Sequence, residues 1–156
     1  MIQGKWITNS DDFATAHNIL NHVFKQELLN NNNFLREDFD SMANHLMVLD
    51  VSKGEYVGYG RIIYDLENFI IDNVCVLEEY RHKKYGDFIV RVLVDKAILC
   101  NASDIFCSVP SYLTKFLEPI GFKKYAGVNC LNNIHIYKNG TIMHLLSEDF
   151  HSQCHC

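Results

Sequence analysis

The sequence predicts a single α+β domain, and three observations support that prediction. Apolar residues recur at helical spacing over residues 13–24 and again over residues 89–98. Between these two predicted helices, residues 44–51, 56–64 and 69–77 are rich in β-branched and apolar residues and are separated by turn residues. A chain of 156 residues is long enough to bury one core. We therefore expect a meander of antiparallel strands with helices packed against it.

Composition restricts the class of protein. Hydrophobic residues make up 48% of the chain and charged residues 21%, which is ordinary for a globular protein. The formal net charge is −5 and no long basic run occurs, so we expect no nucleic-acid partner. Without a membrane-length apolar stretch or a signal-peptide core, we expect a cytoplasmic protein and no membrane partner. Cysteines are then expected as free thiols, and Cys75, Cys100 and Cys107 are interpreted as small core residues.

The first predicted elements are a strand at residues 5–7 and the helix that follows it. Asn9 or Ser10 can cap this helix, and the aspartates of its first turn suit the positive end of the helix dipole. Its apolar face ends at Glu27 and is formed by Phe13, Ala16, Leu20, Val23 and Phe24.

Three strands follow a polar break at residues 30–33 and an acidic run at residues 36–40. The first is predicted at residues 44–51, the second at 56–64 and the third at 69–77. In the second strand, Gly58 and Gly60 predict a bend or a close approach of another backbone or side chain.

The third strand leads through a basic loop into the helix predicted from Gly86 to about residue 100. The loop carries Arg81, His82, Lys83 and Lys84. The first N–H groups of a helix lack intrahelical acceptors, the dipole favours negative charge there, and glycine permits close approach of a ligand. The segment therefore predicts an anion site suited to a diphosphate, and a solvated basic turn is the alternative.

The C-terminal third is predicted to contain a strand at residues 104–109, a short helix, and further strands. Ser111 is the expected cap of that helix and Gly121 its end, with Pro119 distorting the last turn. A strand is expected at residues 123–128. The Asn139-Gly140 pair predicts a hairpin that joins residues 134–138 to 141–146.

The domain is predicted to span residues 1–146, followed by a loose tail at 147–156 that has little to bury. The tail contains four side chains able to bind a soft metal, namely His151, Cys154, His155 and Cys156. Their spacing is tighter than in usual zinc sites, and no distant Cys-x-x-Cys pair accompanies them. We therefore predict no metal site and keep a metal-responsive tail only as an alternative.

Residues 76–86 resemble the acetyl-CoA loop of the GNAT N-acetyltransferase superfamily, whose pattern is Arg/Gln-x-x-Gly-x-Gly/Ala. Arg81 matches the first position and Gly86 the last, whereas Lys84 stands at the usual middle glycine. The resemblance implies acetyl-CoA as co-substrate, with its pyrophosphate on the loop and its pantetheine arm on backbone groups of the preceding strand. The implied cofactor-binding residues are Val74, Cys75, Val76, Arg81, His82, Lys83, Lys84, Tyr85, Gly86 and Asp87.

Other phrases resemble a bacterial single-domain branch of the same superfamily. They are Val-Phe-x-x-Glu at residues 23–27, Asp-x-x-x-x-His at 40–45, and the last-strand phrase at 132–137 that contains His135. These phrases occur in the order found in the family. They imply its fold, which is a central mixed, mostly antiparallel twisted sheet flanked by helices on both faces.

The resemblance also directs attention to acid and base groups. Leu117 stands where many members carry a tyrosine general acid, so Tyr112 is a candidate substitute, with a packing role as the alternative. An amine with a pKa near 10 is mostly protonated at pH 7, so a nearby carboxylate is useful. Asp72 is the first candidate base, and Glu27 and Glu67 are the others. A strand-edge or loop-bonding role explains Asp72 equally well, and Glu27 can instead be a solvated surface group.

The implied activity is acetyl-CoA-dependent N-acetylation of a primary amine on a small molecule or a protein. The alternative is a weak or inactive acyl-CoA-binding or sensing module of the same fold, which the missing tyrosine favours. Turnover across a set of amines distinguishes the two hypotheses. The sequence does not identify the acceptor, and it leaves a homodimer open.

Overall fold

The computed structural model describes residues 1–27, 43–65, 68–127 and 140–151. Its strands and longer helices are, in chain order, β1 (Ile2–Trp6), α1 (Ser10–Glu27), β2 (Ala43–Asp50), β3 (Glu55–Asp65), β4 (Asn68–Val76), α2 (Tyr85–Leu99), β5 (Asp104–Pro110), α3 (Thr114–Leu117), β6 (Lys123–Lys124) and β7 (Gly140–Leu146). Single 3₁₀ turns occur at Glu78–Tyr80, Ser111–Leu113, Glu118–Ile120 and Ser147–Asp149.

The described strands form one mixed sheet in the order β1-β2-β3-β4-β5-β7-β6. Neighbouring strands are antiparallel throughout this sheet except for β4 and β5, which are parallel. Two consecutive strands can run parallel only through a crossover, and α2 provides it. The predicted α+β class and its mostly antiparallel mixed sheet are confirmed.

Helix α2 packs on one face of the sheet, directly over the two glycines of β3. A Cβ atom at Gly58 would lie 2.9 Å from Ile89 Cδ1, and one at Gly60 would lie 2.5 Å from Ile89 Cγ2 and 2.9 Å from Leu93 Cδ1. Both helix side chains are fully buried in the main core. The glycines therefore admit the helix, in agreement with the close approach expected from the sequence.

Helix α1 covers the opposite face. Asn9 caps it, since its side-chain oxygen accepts a 2.9 Å hydrogen bond from the Asp12 backbone N–H. Tyr59, which alternates with Gly58 and Gly60 along β3, belongs to the cluster under α1. The other buried members of that cluster are Ile7, Ala16, Ile19, Leu20, Val23, Met47 and Cys75. The sheet is thus flanked by helices on both faces, as predicted.

The region after β5 differs in detail from the sequence prediction. The short helix is present as a 3₁₀ turn, the one-turn α3 and a second 3₁₀ turn. Ser111, the expected cap, is the first residue of this region, and its hydroxyl lies 3.3 Å from that of Thr141. The strand expected at residues 123–128 is the two-residue β6. The second half of the predicted hairpin is confirmed as β7, and its first half, residues 134–138, lies outside the described residues.

The start of the predicted loose tail is attached to the domain. The Ser147 N–H donates to the Ser103 carbonyl at 3.0 Å, and the His151 N–H donates to the Ile120 carbonyl at 3.1 Å. Phe150 packs against the main core, so residues 147–151 make contacts with the domain. The remaining metal-capable residues of the tail, Cys154 to Cys156, lie outside the described residues.

Candidate functional site

The sheet opens into a fork between its two parallel strands. β4 and β5 pair at Phe69–Ile105, Ile70–Phe106 and Ile71–Cys107, and this pairing ends with Ile71 and Cys107. The next residues of the two strands are therefore no longer ladder partners of one another. Three predicted cofactor-binding residues, Val74, Cys75 and Val76, lie on the β4 side of this fork.

A bulge bends β4 where the fork begins. Tyr59 pairs with Cys75 and Arg61 with Asp72, so Gly60 of β3 faces two residues of β4. One of these two residues, Asn73, is buried and has φ of 53°, a left-handed conformation that asparagine tolerates better than most residues. Asn73 could not be predicted from the sequence, because a lone asparagine in an apolar strand carries no specific signal.

The loop from β4 to α2 has an unusual backbone. His82 has φ of 61°, and Lys84, the residue that precedes α2, has φ of 70° and ψ of 9°. Lys84 thus adopts the left-handed conformation that glycine favours, at the position where the predicted loop pattern has glycine.

The N-terminus of α2 points its first N–H groups into this loop. The first helical bond runs from the Phe88 N–H to the Lys84 carbonyl at 3.0 Å, and no side chain caps the helix. The N–H groups of residues 85–87 therefore have no acceptor within the helix. A Cβ at Gly86 would lie 3.8 Å or more from the nearest described atoms, which belong to Phe116 and Val76. Packing against the described residues does not require this glycine, which leaves room for the close approach of a ligand.

Side chains of the basic loop differ in their roles. The Arg81 Nε donates a 3.0 Å hydrogen bond to the Val76 carbonyl and so fastens the loop to the end of β4. Lys83 Nζ lies 5.7 Å from the centre of the Tyr80 ring, and Lys53 Nζ of the β2–β3 turn lies 4.9 Å from it. His82 and Lys84 are exposed. The loop thus combines helix N–H groups with several cationic side chains.

Two tyrosines hold this loop against the β2–β3 turn. The Tyr80 hydroxyl donates to Glu55 at 2.5 Å, and the Tyr85 hydroxyl donates to Asp50 at 2.9 Å. The bond to Glu55, together with burial, raises the pKa of Tyr80 to about 12, whereas burial and then Asp50 raise the pKa of Tyr85. Hydrogen bonds from Ser52 lower the pKa of Asp50. Because the Tyr85 hydroxyl is committed to Asp50, its backbone N–H is the group it offers to a ligand.

Asp87, the last predicted residue of the cofactor loop, bonds within its own helix. Its carboxylate accepts a 2.8 Å hydrogen bond from Arg91 Nε, one turn further along α2. The pair neutralises a carboxylate that would otherwise face an anion at the helix N-terminus. Asp87 is thereby positioned to contribute its backbone N–H rather than its side chain.

The first candidate base, Asp72, forms a two-point ion pair with Arg61. Arg61 Nε and Nη2 each donate a 2.8 Å hydrogen bond to one oxygen of the Asp72 carboxylate. The Arg61 side chain is 2% exposed and that of Asp72 is 12% exposed. Accepting a proton from an amine would remove the charge that balances the buried guanidinium, so the geometry suits a positioning role.

Of the remaining predicted catalytic groups, Tyr112 is the one whose side chain lies in the described part of the chain. Tyr112 is 73% exposed on the 3₁₀ turn after β5, and Leu117 is fully buried in the main core. Glu27 is the last residue of α1, and its side chain, like the whole of Glu67, lies outside the described residues. The predicted cofactor residues therefore lie at the end of β4, in the loop and at the start of α2. Asp72 lies beside the fork, whereas Tyr112 is exposed on the turn after β5.

The three cysteines interpreted as core residues divide into two kinds. Cys75 and Cys107 are buried, whereas Cys100 at the end of α2 is exposed, which corrects that interpretation for Cys100. Burial, with a smaller contribution from Asp72, raises the pKa of the Cys107 thiol, so it stays protonated near the fork. Within the described residues, no group of three His, Cys, Asp or Glu side chains is placed to hold a metal ion.

A mixed sheet flanked by helices, with a cationic turn that leads from its central strand into a helix, is the architecture that the resemblance in the loop implies. A family model described as an acetyltransferase (GNAT) domain matches residues 10–137. The chain belongs to this family, which confirms the resemblance found in the loop. No curated protein matches the sequence.

Solved structures show the same fold at low sequence identity. An acetyltransferase from Streptococcus agalactiae is 15% identical with a TM-score of 0.75, and the match covers 93% of this chain and 98% of that one. Escherichia coli ElaA is 18% identical with a TM-score of 0.75, covering 93% and 99%. FeeM, an N-acyl amino acid synthase from uncultured soil microbes, is 10% identical with a TM-score of 0.74, covering 96% and 92%. Of the helices in the described part of the chain, none has the length and apolar character needed to cross a membrane.

Proposed function

We propose that the protein is an acetyl-CoA-dependent N-acetyltransferase that transfers the acetyl group to a primary amine of a small molecule or a protein. The observation that supports this most strongly is the direct connection between the fork and the uncapped N-terminus of α2. A strand edge that can accept an extended arm thus leads straight into a turn that can accept a diphosphate. Family membership supports an acyl-CoA donor.

The donor's pyrophosphate fits the N–H groups of residues 85–87 and the cations of the loop. Arg81 keeps the loop in place through the Val76 carbonyl, and the exposed Lys84 supplies positive charge at the helix N-terminus. The pantetheine arm would run beside residues 74–76 of β4, where pairing with β5 has ended. The bound donor supplies an activated thioester, and the protein supplies position and hydrogen-bond donors.

The acceptor amine must lose a proton before or during its attack. Asp72 is occupied by Arg61, so we assign it to holding β3 and β4 together at the fork rather than to proton transfer. Without a committed base, the free amine in solution limits the rate, and an amine with a pKa near 10 becomes available as the pH rises. We therefore expect kcat/KM to increase about tenfold per pH unit between pH 7 and 9.

The experiment that tests the activity is release of the CoA thiol from acetyl-CoA across a panel of amines and amino-terminal peptides. Release that depends on an amine supports the acetyltransferase. Tight binding of acetyl-CoA without turnover on any amine would favour the sensing module, an alternative supported by the buried Leu117 at the usual tyrosine position. Absence of both binding and turnover would contradict the proposal.

A further inference from the structure

Ser108 lies in β5 and is buried, with 3% of the residue exposed. Among the described residues, its Oγ is the buried side-chain polar atom without a hydrogen-bond partner. Burying a hydroxyl without a partner destabilises a fold, so such a group usually has a use. Phe106, which shares a face of β5 with Ser108, belongs to an apolar cluster, so the surroundings on that face are not generally polar.

The position of Ser108 in the sheet connects it with the fork. It is the first residue of β5 after the last pair with β4, and its own ladder partner is Ile142 in β7, on the other side of the strand. Side chains alternate between the two faces of a strand, so Ser108 lies on the same face of the sheet as Phe106 in β5. By the same alternation, Asp72 lies on the same face as Ile70 in β4. Because Ile70 pairs with Phe106, Asp72 and Ser108 flank the point at which the strands part.

Asp72 does not satisfy the hydroxyl, since Ser108 Oγ has no hydrogen-bond partner among the described residues and the carboxylate is held instead by Arg61. The Cys107 thiol is protonated and belongs to the main core on the other face. A donor is therefore available at the fork, in surroundings that exclude water. Hydrogen bonds to charge are strengthened in such surroundings.

We propose that the Ser108 hydroxyl donates a hydrogen bond to the thioester sulfur of the acyl donor and stabilises it as it leaves. This inference depends on the proposed function. In the reaction the amine lone pair forms the new bond to the acyl carbon, and the electron pair of the carbon–sulfur bond goes to sulfur. The amine proton passes to solvent. Serine is a far weaker acid than a thiol, so Ser108 keeps its own proton and stabilises the thiolate.

Binding measurements test this contact without an acceptor. Dissociation constants for CoA, desulfo-CoA and 3′,5′-ADP are measured at pH 9, where a thiol with a pKa near 8.5 is largely ionised. Ser108→Ala is expected to weaken CoA about tenfold and to leave desulfo-CoA and 3′,5′-ADP unchanged. The same variant should unfold about 2–4 °C higher than wild type, because an unsatisfied hydroxyl has been removed.

Ser103→Ala is the matched control, because Ser103 is exposed at the opposite end of β5 and bonds to Asp104. It should change none of the three affinities. With an amine acceptor, Ser108→Ala should lower kcat about 10- to 100-fold with the KM for acetyl-CoA within about twofold. Ser108→Thr, which keeps the hydroxyl, should recover most of the rate.

The outcomes separate this inference from the proposed function. Equal affinities of wild type and Ser108→Ala for CoA, or equal weakening of CoA and desulfo-CoA, would overturn the sulfur contact while leaving the acetyltransferase proposal intact. Failure of wild-type protein to bind CoA at all would refute the proposed function and this inference with it. Selective loss of CoA affinity supports the contact even if no amine in the panel is acetylated.

Discussion

At the residue scale, the charged side chains Arg61 and Asp72 beside the fork are held by each other rather than left to solvent. Arg61 is almost completely buried and its charge is balanced by Asp72 from the neighbouring strand. A charge buried in this way destabilises the protein strongly if its partner is removed, although the intact pair contributes little net stability. The pair therefore holds β3 and β4 together at the bulge, and its loss should measurably lower the free energy of unfolding.

Asp72→Asn is expected to lower the free energy of unfolding by about 3 kcal/mol, because the Arg61 guanidinium stays buried without its counter-charge. Urea unfolding measures this change. Asp87→Asn is the control, since it breaks the more exposed pair with Arg91 and should cost less than about 0.5 kcal/mol. A fully stable but inactive Asp72→Asn would instead identify Asp72 as the catalytic base.

At the element scale, the site depends on how α2 meets the sheet and the β2–β3 turn. Gly60 is needed for packing, because a Cβ there would collide with Ile89 and Leu93, whereas a Cβ at Gly86 would make ordinary contacts. Tyr80 and Tyr85 then tie the loop before α2 to Glu55 and Asp50. Two glycines that look alike in the sequence therefore have different roles.

Gly60→Ala is expected to lower the free energy of unfolding by about 1–3 kcal/mol through overpacking under α2. Gly86→Ala should leave stability equal or slightly higher, because alanine is the better helix former, and should weaken acetyl-CoA binding. Urea unfolding and a titration with acetyl-CoA on both variants measure the two effects. Unchanged affinity in Gly86→Ala would show that the ligand does not approach this residue closely.

The tyrosine contacts predict a pH dependence of stability on the alkaline side. The pKa of Tyr80 is raised from 10 to about 12 in the folded protein, so the unfolded chain loses this proton first. The contribution of Tyr80 is therefore fully present below pH 10 and is lost as the pH rises from 10 to 12. The stability difference between wild type and Tyr80→Phe should shrink over that range in urea unfolding. A difference that stays constant would show that the Glu55 bond does not form.

At the scale of the whole molecule, the sequence was sufficient for features that depend on local pattern. The period of apolar residues placed both long helices, and Asn9 and Gly86 marked their beginnings to within one residue. The basic loop was recognised because its residues are contiguous.

Features that depend on pairing between distant residues could not be predicted. Arg61 and Asp72 meet only through the register of β3 and β4, and the bulge at Asn73 sets that register. Ser108 is significant only because the pairing of β5 with β4 ends beside it. Phe150 attaches the tail by filling space in a core whose shape is a property of the complete fold.

The central claim, that the loop before α2 binds the donor's pyrophosphate, is tested most directly by thermal unfolding with acetyl-CoA on wild type and Lys84→Glu. Lys124→Glu on the edge strand β6 is the control, as the same charge change at an exposed site away from the loop. At a hundredfold excess over the dissociation constant, the donor should stabilise wild type and the control by about 2.7 kcal/mol. Lys84→Glu should lose most of that stabilisation. No stabilisation of wild type at millimolar acetyl-CoA, or an equal effect on Lys84→Glu, would contradict the account.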